Sequence, residues 1–312
     1  MRYRVVFMGT PEFAVPALRA LLESEEVLAV VTQPDKPRGR GRRLRPSPVK
    51  EVAFSAGLPV LAPLRLKDPE FLEPLRALAP DLIVVAAYGK ILPREVLELP
   101  RYGCWNIHAS LLPKYRGADP IRWAILRGEK ETGITIMLMD EGLDTGPILL
   151  QKKISIGEEE TGGELYERLS RLGAEALEEA LSLHKEGRLK PRPQPENGVS
   201  YAPPFKKEDA ELDFHSPAWE VACRIRAFDP RPGAYTFLQG QVFKLFRPQV
   251  LDQESPEPPG TLLGVTGEKL LIACGKGVLA VSEVQLAGKR RMTVSEFLKG
   301  HRLAAGTRLG LD

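Results

Sequence analysis

The sequence predicts an α/β fold, in which a doubly wound, Rossmann-like parallel sheet is followed by a small β-barrel. Three observations support this. Short apolar runs alternate with segments of helical spacing through residues 1–186, as in a parallel sheet with helices on both faces. Residues 187–207 are rich in proline and charge and have no periodicity, which predicts a linker. In residues 208–312, short alternating segments separated by turns predict a partly closed, OB-like barrel.

The first half of the α/β region contains four predicted strands and three predicted helices. The strands are residues 3–9, 27–33, 58–63 and 81–89, and the helices are residues 11–24, 48–57 and 68–80. Residues 81–89 are continuously apolar, which is typical of a central strand covered on both faces. Asp68 is expected to be the N-cap of its helix, with Pro69 at the first helical position.

The second half of this region continues with a strand at residues 103–110 and a helix at residues 119–128. Residues 132–156 predict two strands joined by an Asp/Gly turn, and therefore an antiparallel hairpin at one edge of the sheet. A long helix follows, opened by a capping box formed by Thr161 and Glu164.

The barrel region begins with one short helix and continues with β-segments. The helix is residues 216–228, and the β-segments are residues 234–246, 260–265, 269–275 and 277–285.

The composition is that of a globular protein. Of 312 residues, 43% are hydrophobic and 27% are charged, and the net charge is +3. Cys104, Cys223 and Cys274 are far apart, so we expect buried thiols in a reducing compartment. The chain has no apparent signal peptide and no apolar run of the roughly 18 residues that a membrane span requires. We therefore expect a cytoplasmic monomer that does not associate with membranes.

The stretch "NIHASLLPKYRG" (106–117) concentrates groups that could perform chemistry. Asn106 and His108 lie at the predicted carboxyl end of a strand, on the same face, where ligands bind in open parallel sheets. Asp144 lies in the hairpin turn and could reach the imidazole. An amide, a protonated imidazole and an orienting carboxylate suit acyl transfer to an amine, because the first two can stabilise a tetrahedral oxyanion. The alternatives are a structural histidine, an asparagine bonded to local backbone and an ordinary turn aspartate.

Several other motifs are absent. The segment after the first strand, "MGTPEF", lacks the GxGxxG pattern of dinucleotide binding, and "GRGRR" lacks the ending of a phosphate-binding P-loop. There is no HExxH and no cluster of metal ligands, so we expect no metal.

Taken together, "NIHASLLPKYRG" and "MDEGLDTGPIL" resemble the paired motifs of the 10-formyltetrahydrofolate-dependent formyltransferase family. Further stretches are similar to members that act on charged tRNA, namely "FMGTPEFAVPAL", "TQPDKPRGRGRRLRPSPVK", "VVAAYGKILP" and "IRAFDPRPGAY". The resemblance extends over nearly the whole chain.

This resemblance implies that Asn106, His108 and Asp144 are catalytic and that 10-formyltetrahydrofolate is the formyl donor. The implied folate-binding residues are Ser110, Leu111, Leu112, Pro113, Val85, Ala86, Tyr88, Gly89, Leu92, Asp140 and Gly142. The implied reaction formylates the methionine amino group of initiator Met-tRNA, for translation initiation.

Two basic runs are candidates for contact with the tRNA acceptor arm. The first run lies in the loop "DKPRGRGRRLRPSPVK" (35–50), called here the basic insert, and comprises Arg38, Arg40, Arg42, Arg43 and Arg45. The second run lies in the barrel and comprises Lys289, Arg290 and Arg291. Guanidinium groups beside an active site can neutralise phosphates. The resemblance points to Arg40 in particular. The alternatives are a solvated loop for the first run and a surface that aids solubility for the second.

Two other functions remain open at this point. A formyltransferase for a small amine, such as glycinamide ribonucleotide or a sugar nucleotide, would share the catalytic residues but would not explain the basic insert or the barrel. A non-catalytic RNA-binding protein on the same fold would tolerate loss of the three residues.

Overall fold

The computed structural model describes residues 2–38 and 43–310, which divide into two compact units. The first unit takes in the described residues up to Pro120, together with Glu131–Ile154 and Tyr166–Pro203. The second takes in Ile121–Lys130, Ser155–Leu165 and the described residues from Pro204 onward. Most of the predicted linker, residues 187–207, therefore folds with the first unit.

The strands of the first unit form one large sheet and two short ribbons. They are β1 (Arg4–Gly9), β2 (Glu26–Val31), β3 (Lys36–Arg38), β4 (Arg43–Arg45), β5 (Val60–Leu61), β6 (Leu82–Ala86), β7 (Cys104–His108), β8 (Arg116–Gly117), β9 (Glu131–Leu138), β10 (Ile148–Ser155) and β11 (Tyr201–Ala202). The sheet has the order β10-β9-β7-β6-β1-β2-β5. Strands β5, β2, β1, β6 and β7 are parallel, while β9 runs antiparallel to β7. The doubly wound sheet is thus confirmed, with its switch point between β1 and β6.

The helices that precede the second unit's sheet begin close to the predicted positions, except for the short helix Arg94–Leu97, which was not predicted. They are α1 (Val15–Ser24), α2 (Pro48–Ser55), α3 (Pro69–Ala77), α4 (Arg94–Leu97), α5 (Pro120–Leu126) and α6 (Gly162–Lys185). The predicted capping box of α6 is present, because Glu164 N donates to Thr161 Oγ1 at 3.2 Å and Thr161 N donates to Glu164 Oε2 at 2.8 Å. Asp68 occupies the N-cap position of α3, but its side chain makes no capping hydrogen bond.

The core of the first unit explains the continuous apolar strand in the sequence. Every residue of β6 is buried, as expected for a central strand with both faces covered.

All three cysteines are buried, as predicted. Burial raises the pKa of the Cys104 and Cys274 thiols to about 12. No helix within the described residues is both long and apolar enough to cross a membrane.

The second unit is built on an antiparallel sheet of short strands. Its elements are β12 (Tyr235–Leu238), β13 (Gln241–Leu251), β14 (Leu262–Thr266), β15 (Lys269–Ala273), β16 (Val278–Leu286) and β17 (Met292–Thr293), with helices α7 (Ala218–Phe228) and α8 (Val294–Leu298). The strand order is β12-β13-β16-β15-β14, and β17 pairs with β16. The sheet's buried side packs with α7 and α8 into one hydrophobic core.

Residues 306–310 connect the two outer strands of this sheet. Gly306 N donates to Leu262 O and Leu262 N donates to Thr307 O, each at 2.8 Å, which covers the free edge of β14. Gly310 N donates to Phe237 O of β12 at 2.9 Å. This segment therefore bridges the gap between the outer strands and completes a partly closed barrel.

An aromatic cluster surrounds His184 near the end of α6. Its imidazole packs against the rings of Tyr3, Tyr102 and Trp105, with centroids 4.7 to 5.6 Å away. Its Nδ1 also lies 2.8 Å from the Tyr3 hydroxyl. Burial lowers the pKa of His184 below its ordinary value of 6.5, because the charged ring would lose hydration.

We expect His184→Phe to reduce the loss of free energy of unfolding that accompanies a fall in pH below 6.5. As the pH falls through 6.5, the unfolded chain takes up a proton at this position that the folded chain resists. The contribution of the uncharged His184 to the free energy of unfolding is therefore fully present above pH 6.5. It is lost as the pH falls toward the lowered pKa of the folded state. Urea unfolding between about pH 8 and pH 5 measures this slope.

The control for this test is Tyr3→Phe, which removes the hydroxyl partner but leaves His184 buried. Because burial causes the lowered pKa, this variant should keep the wild-type slope. The same slope in His184→Phe as in the wild type would contradict the prediction.

Candidate active site

Strand β7 delivers Asn106 and His108 to one face of the sheet. Ile107, between them, is buried at 3% exposure. It points toward α6, since a Cβ added at Gly173 would lie 2.9 Å from Ile107 Cγ2. Alternation along the strand therefore places Asn106 and His108 on the opposite face, as predicted.

Asp144 reaches both of these side chains from the turn between β9 and β10. Its Oδ1 lies 3.4 Å from Asn106 Nδ2, and its Oδ2 lies 3.6 Å from His108 Nδ1. The His108 side chain is 5% exposed and that of Asp144 is 14% exposed. The structure thus brings the three predicted residues together, with one carboxylate facing two potential donors.

The orientation of His108 is fixed on its other side by backbone. His108 Nε2 lies 2.9 Å from the carbonyl oxygen of Tyr115. A carbonyl oxygen only accepts hydrogen bonds, so Nε2 carries the proton of this contact. Nδ1 is therefore the ring nitrogen that can gain or lose a proton in the site, and it is the one that faces Asp144.

Gly117 supplies a contact that the sequence analysis missed. Its backbone N donates to Asp144 Oδ2 at 2.8 Å. Gly117 has φ +121°, and a Cβ there would lie 2.8 Å from Ala202 O, because β11 pairs closely with β8. Only glycine suits this position, which accounts for the last residue of the motif "NIHASLLPKYRG".

Gln194 and Arg116 form a second group that the sequence analysis missed. Gln194 Nε2 donates to the carbonyl oxygens of Asp144 and Gly146, at 2.7 and 2.8 Å. Its Oε1 accepts from Arg116 Nε and a terminal guanidinium nitrogen, at 3.1 and 2.7 Å. Gln194 lies in the proline-rich "PRPQP", where periodicity gives no signal, so contacts with residues 50 positions earlier were not predictable.

The predicted folate-binding segment from Val85 to Leu92 follows the central strand. Val85 and Ala86 end β6, Gly89 has φ +78°, and Leu92 is buried. Burial raises the pKa of Tyr88 to about 12. A cavity of about 190 Å³ adjoins this segment. Its lining residues are Thr10, Pro11, Gln33, Pro34, Asp35, Arg45, Ser47, Ala87, Tyr88 and Gly89.

The other predicted folate-binding residues form tight turns. Ser110 Oγ donates to Lys114 O at 2.6 Å, and Leu112 N donates to Thr135 Oγ1 at 3.1 Å. A Cβ added at Gly133 would lie 2.6 Å from Leu111 Cδ2, and the Leu112–Pro113 peptide bond is cis. Asp140 Oδ1 accepts from Gly142 N at 3.0 Å. The polar side chains Ser110 and Asp140 are thus already bonded within their turns.

The basic candidates differ in how far the structure describes them. Arg40 and Arg42 lie outside the described residues. The backbones of Arg38 and Arg43 are paired in the β3–β4 ribbon, and Arg45 is exposed. In the second unit Lys289 is exposed, and the side chain of Arg290 is 75% exposed and lies 3.2 Å from Glu296.

Arg291 is held within the second unit. Its guanidinium donates to both carboxylate oxygens of Asp229, at 2.7 and 3.1 Å, and also to Glu283. It lies 4.0 Å from the centre of the Phe246 ring. Asp229 is 5% exposed, so this is a largely buried ion pair. These contacts give Arg291 a structural role, and the phosphate contact expected from the sequence stays a prediction.

We expect Arg291→Ala to lower the free energy of unfolding by about 3 kcal/mol, because Asp229 is left buried without a counter-ion. Urea denaturation measures the change. Arg290→Ala is the matched control and should have an effect within about 0.5 kcal/mol, since its side chain is exposed. Equal losses in the two variants would contradict the structural role.

The described residues also show no group of three or more His, Cys, Asp or Glu side chains arranged to hold a metal ion.

Comparison with known proteins defines the class. The family model described as "Formyl transferase" matches residues 1–181, and "Formyl transferase, C-terminal domain" matches residues 204–302. The chain belongs to the formyl transferase family. It is 51% identical to the methionyl-tRNA formyltransferase of Myxococcus xanthus over 98% of this chain and 97% of that one. It is 52% identical to the protein of the same name from Caldanaerobacter subterraneus, over 97% and 99% of the two chains.

Solved structures share the fold at lower identity. HypX from Aquifex aeolicus in complex with tetrahydrofolic acid aligns over 98% of this chain and 51% of its own, with a TM-score of 0.63 and 20% identity. The sugar 3N-formyl transferase WlaRD aligns over 93% of this chain and all of its own, with a TM-score of 0.68 and 18% identity.

Proposed function

We propose that this protein transfers the formyl group of 10-formyltetrahydrofolate to the amino group of methionine on initiator Met-tRNA. The clustering of Asn106, His108 and Asp144 carries the proposal. Relatives that are 51% and 52% identical over nearly the whole chain bear the name of this activity. That full-length similarity includes the barrel and favours the tRNA substrate over a small amine.

The reaction begins when the neutral methionine amine attacks the formyl carbon. A C–N bond to the amine forms, and the formyl oxygen becomes an oxyanion. One N–H of Asn106 and a proton on His108 Nδ1 are the donors proposed to stabilise this charge. Collapse of the intermediate breaks the bond to N10 and releases tetrahydrofolate.

The attacking nitrogen must lose a proton, and N10 must gain one. Asp144 is positioned to take the proton from the amine, directly or through a water molecule, and the protonated His108 Nδ1 to give one to N10, after which the proton on Asp144 returns to Nδ1. The Tyr115 carbonyl holds the opposite ring nitrogen, so proton exchange at Nδ1 does not require the ring to rotate. Asp144 stabilises the ring when it is protonated.

The donor is proposed to bind along three segments. Backbone from Val85 to Leu92 holds the pteridine, residues 110–113 form a second wall, and the turn from Asp140 to Asp144 closes over it. The group-transfer chemistry uses no metal.

The acceptor arm of the tRNA is proposed to contact the basic insert and the basic run of the second unit. The candidates are Arg38, Arg40, Arg42, Arg43, Arg45, Lys289, Arg290 and Arg291. Phosphate contacts of this kind should weaken steeply with added salt, by a slope of about 0.9 per phosphate in double-stranded regions. We further propose that the protein is a cytoplasmic monomer.

The decisive experiment is incubation with radiolabelled 10-formyltetrahydrofolate and charged Met-tRNA. Free methionine and glycinamide ribonucleotide are the control acceptors. Label should appear on the tRNA-linked methionine and not on the small amines. Transfer to glycinamide ribonucleotide with none to tRNA would overturn the proposal, and so would the absence of any transfer.

A further inference from the structure

The turn that carries Asp144 is held from outside by a side chain to which no catalytic role has been assigned. Asp144 has φ +52°, a left-handed conformation that costs free energy in a residue with a side chain. Surrounding contacts must therefore hold it in place. Gln194 provides two of them, through the carbonyl oxygens of Asp144 and Gly146.

The donor and acceptor roles of the contacting groups fix the orientation of the Gln194 side-chain amide. The two backbone carbonyls can only accept, so the side-chain nitrogen of Gln194 must point toward them. The guanidinium of Arg116 can only donate, so the side-chain oxygen of Gln194 must point toward Arg116. This arrangement fixes the amide in one orientation and uses both of its ends.

Arg116 connects this arrangement to the other side of Asp144. It directly precedes Gly117, whose N–H donates to Asp144 Oδ2 at 2.8 Å. Residues 116–117 pair with residues 201–202, seven residues beyond Gln194 in the same proline-rich segment. The backbone and the carboxylate of Asp144 are thus braced by one connected group of residues.

We propose that Gln194, locked by Arg116, is a positioning residue that holds Asp144 in reach of His108 and Asn106. The proposal rests on the formyl transfer proposed above. Gln194 touches neither the reacting atoms nor the trio's other side chains, so it acts only through Asp144.

The test is a double-mutant cycle of Gln194→Ala with Asp144→Asn, measured by steady-state kinetics of formyl transfer. Gln194→Ala should lower kcat by about 10- to 100-fold, as expected when a catalytic group moves by roughly 1 Å, while KM for the donor stays near the wild-type value. In the Asp144→Asn background the same substitution should have little further effect, because its route of action is gone. Gln253→Ala, at an exposed position in the second unit, is the matched control.

Each result has a distinct meaning. An unchanged kcat in Gln194→Ala, or an equal loss in the Asp144→Asn background, overturns the positioning role. If Gln194→Ala does not fold, Arg116→Met is judged by the same two criteria, because it frees the amide while leaving Gln194 present. Wild-type protein without turnover refutes the proposed function, whereas active wild type with an unaffected variant refutes only this inference.

Discussion

Asn106→Ala is expected to lower kcat by about 100- to 1000-fold with little change in KM. The amide N–H donates to charge that exists only after the amine has attacked. Its loss therefore raises the barrier by about 3 to 4 kcal/mol without weakening substrate binding. Steady-state kinetics with Met-tRNA as acceptor measure both constants.

The matched control is Asn197→Ala, the same substitution at the exposed, and only other, asparagine of the chain. It should leave both constants unchanged. A higher KM with an intact kcat in Asn106→Ala would instead assign Asn106 to ground-state binding.

His108→Ala is expected to lower kcat by roughly 1000- to 10,000-fold. The substitution removes a donor to the oxyanion and also the group that exchanges a proton at Nδ1. The hydrogen bond to the buried Tyr115 carbonyl is also lost, which should lower stability by about 1 kcal/mol. Kinetics at a temperature well below the measured Tm separate the two effects.

His215→Ala removes an imidazole whose side chain is 77% exposed in the second unit, and turnover should persist. His108→Asn is a second variant that retains a polar side chain. If His108→Ala keeps a tenth or more of wild-type turnover while remaining folded, His108 is not the proton-exchanging group.

The predictable part of the site lies in local patterns. Asn106 and His108 alternate along one strand, and a strand of a parallel sheet ends where ligands bind. The composition of the turn around Asp144 predicts a hairpin, and the hairpin brings the carboxylate to the neighbouring strand's end. Two short-range rules therefore suffice to place three side chains together.

The residues that hold this arrangement lie beyond such rules. Gln194 contacts Asp144 through a proline-rich segment that has no periodicity, and Gly117 matters because β11 approaches it closely. The ion pairs of Arg291 were missed in the same way, since its place in a basic run predicted only a contact with tRNA. Its carboxylate partners are 62 and 8 residues away in sequence, and burial of Asp229 decides its role.

The bridge formed by residues 306–310 protects two β-strands at once. Unpaired strand edges are templates for pairing with other chains, and natural proteins cover or interrupt them. A polypeptide cut before residue 306 would expose the backbone groups of Leu262 and Phe237 together and would become prone to intermolecular association. Integrity of this short segment is therefore a matter of solubility as much as of folding.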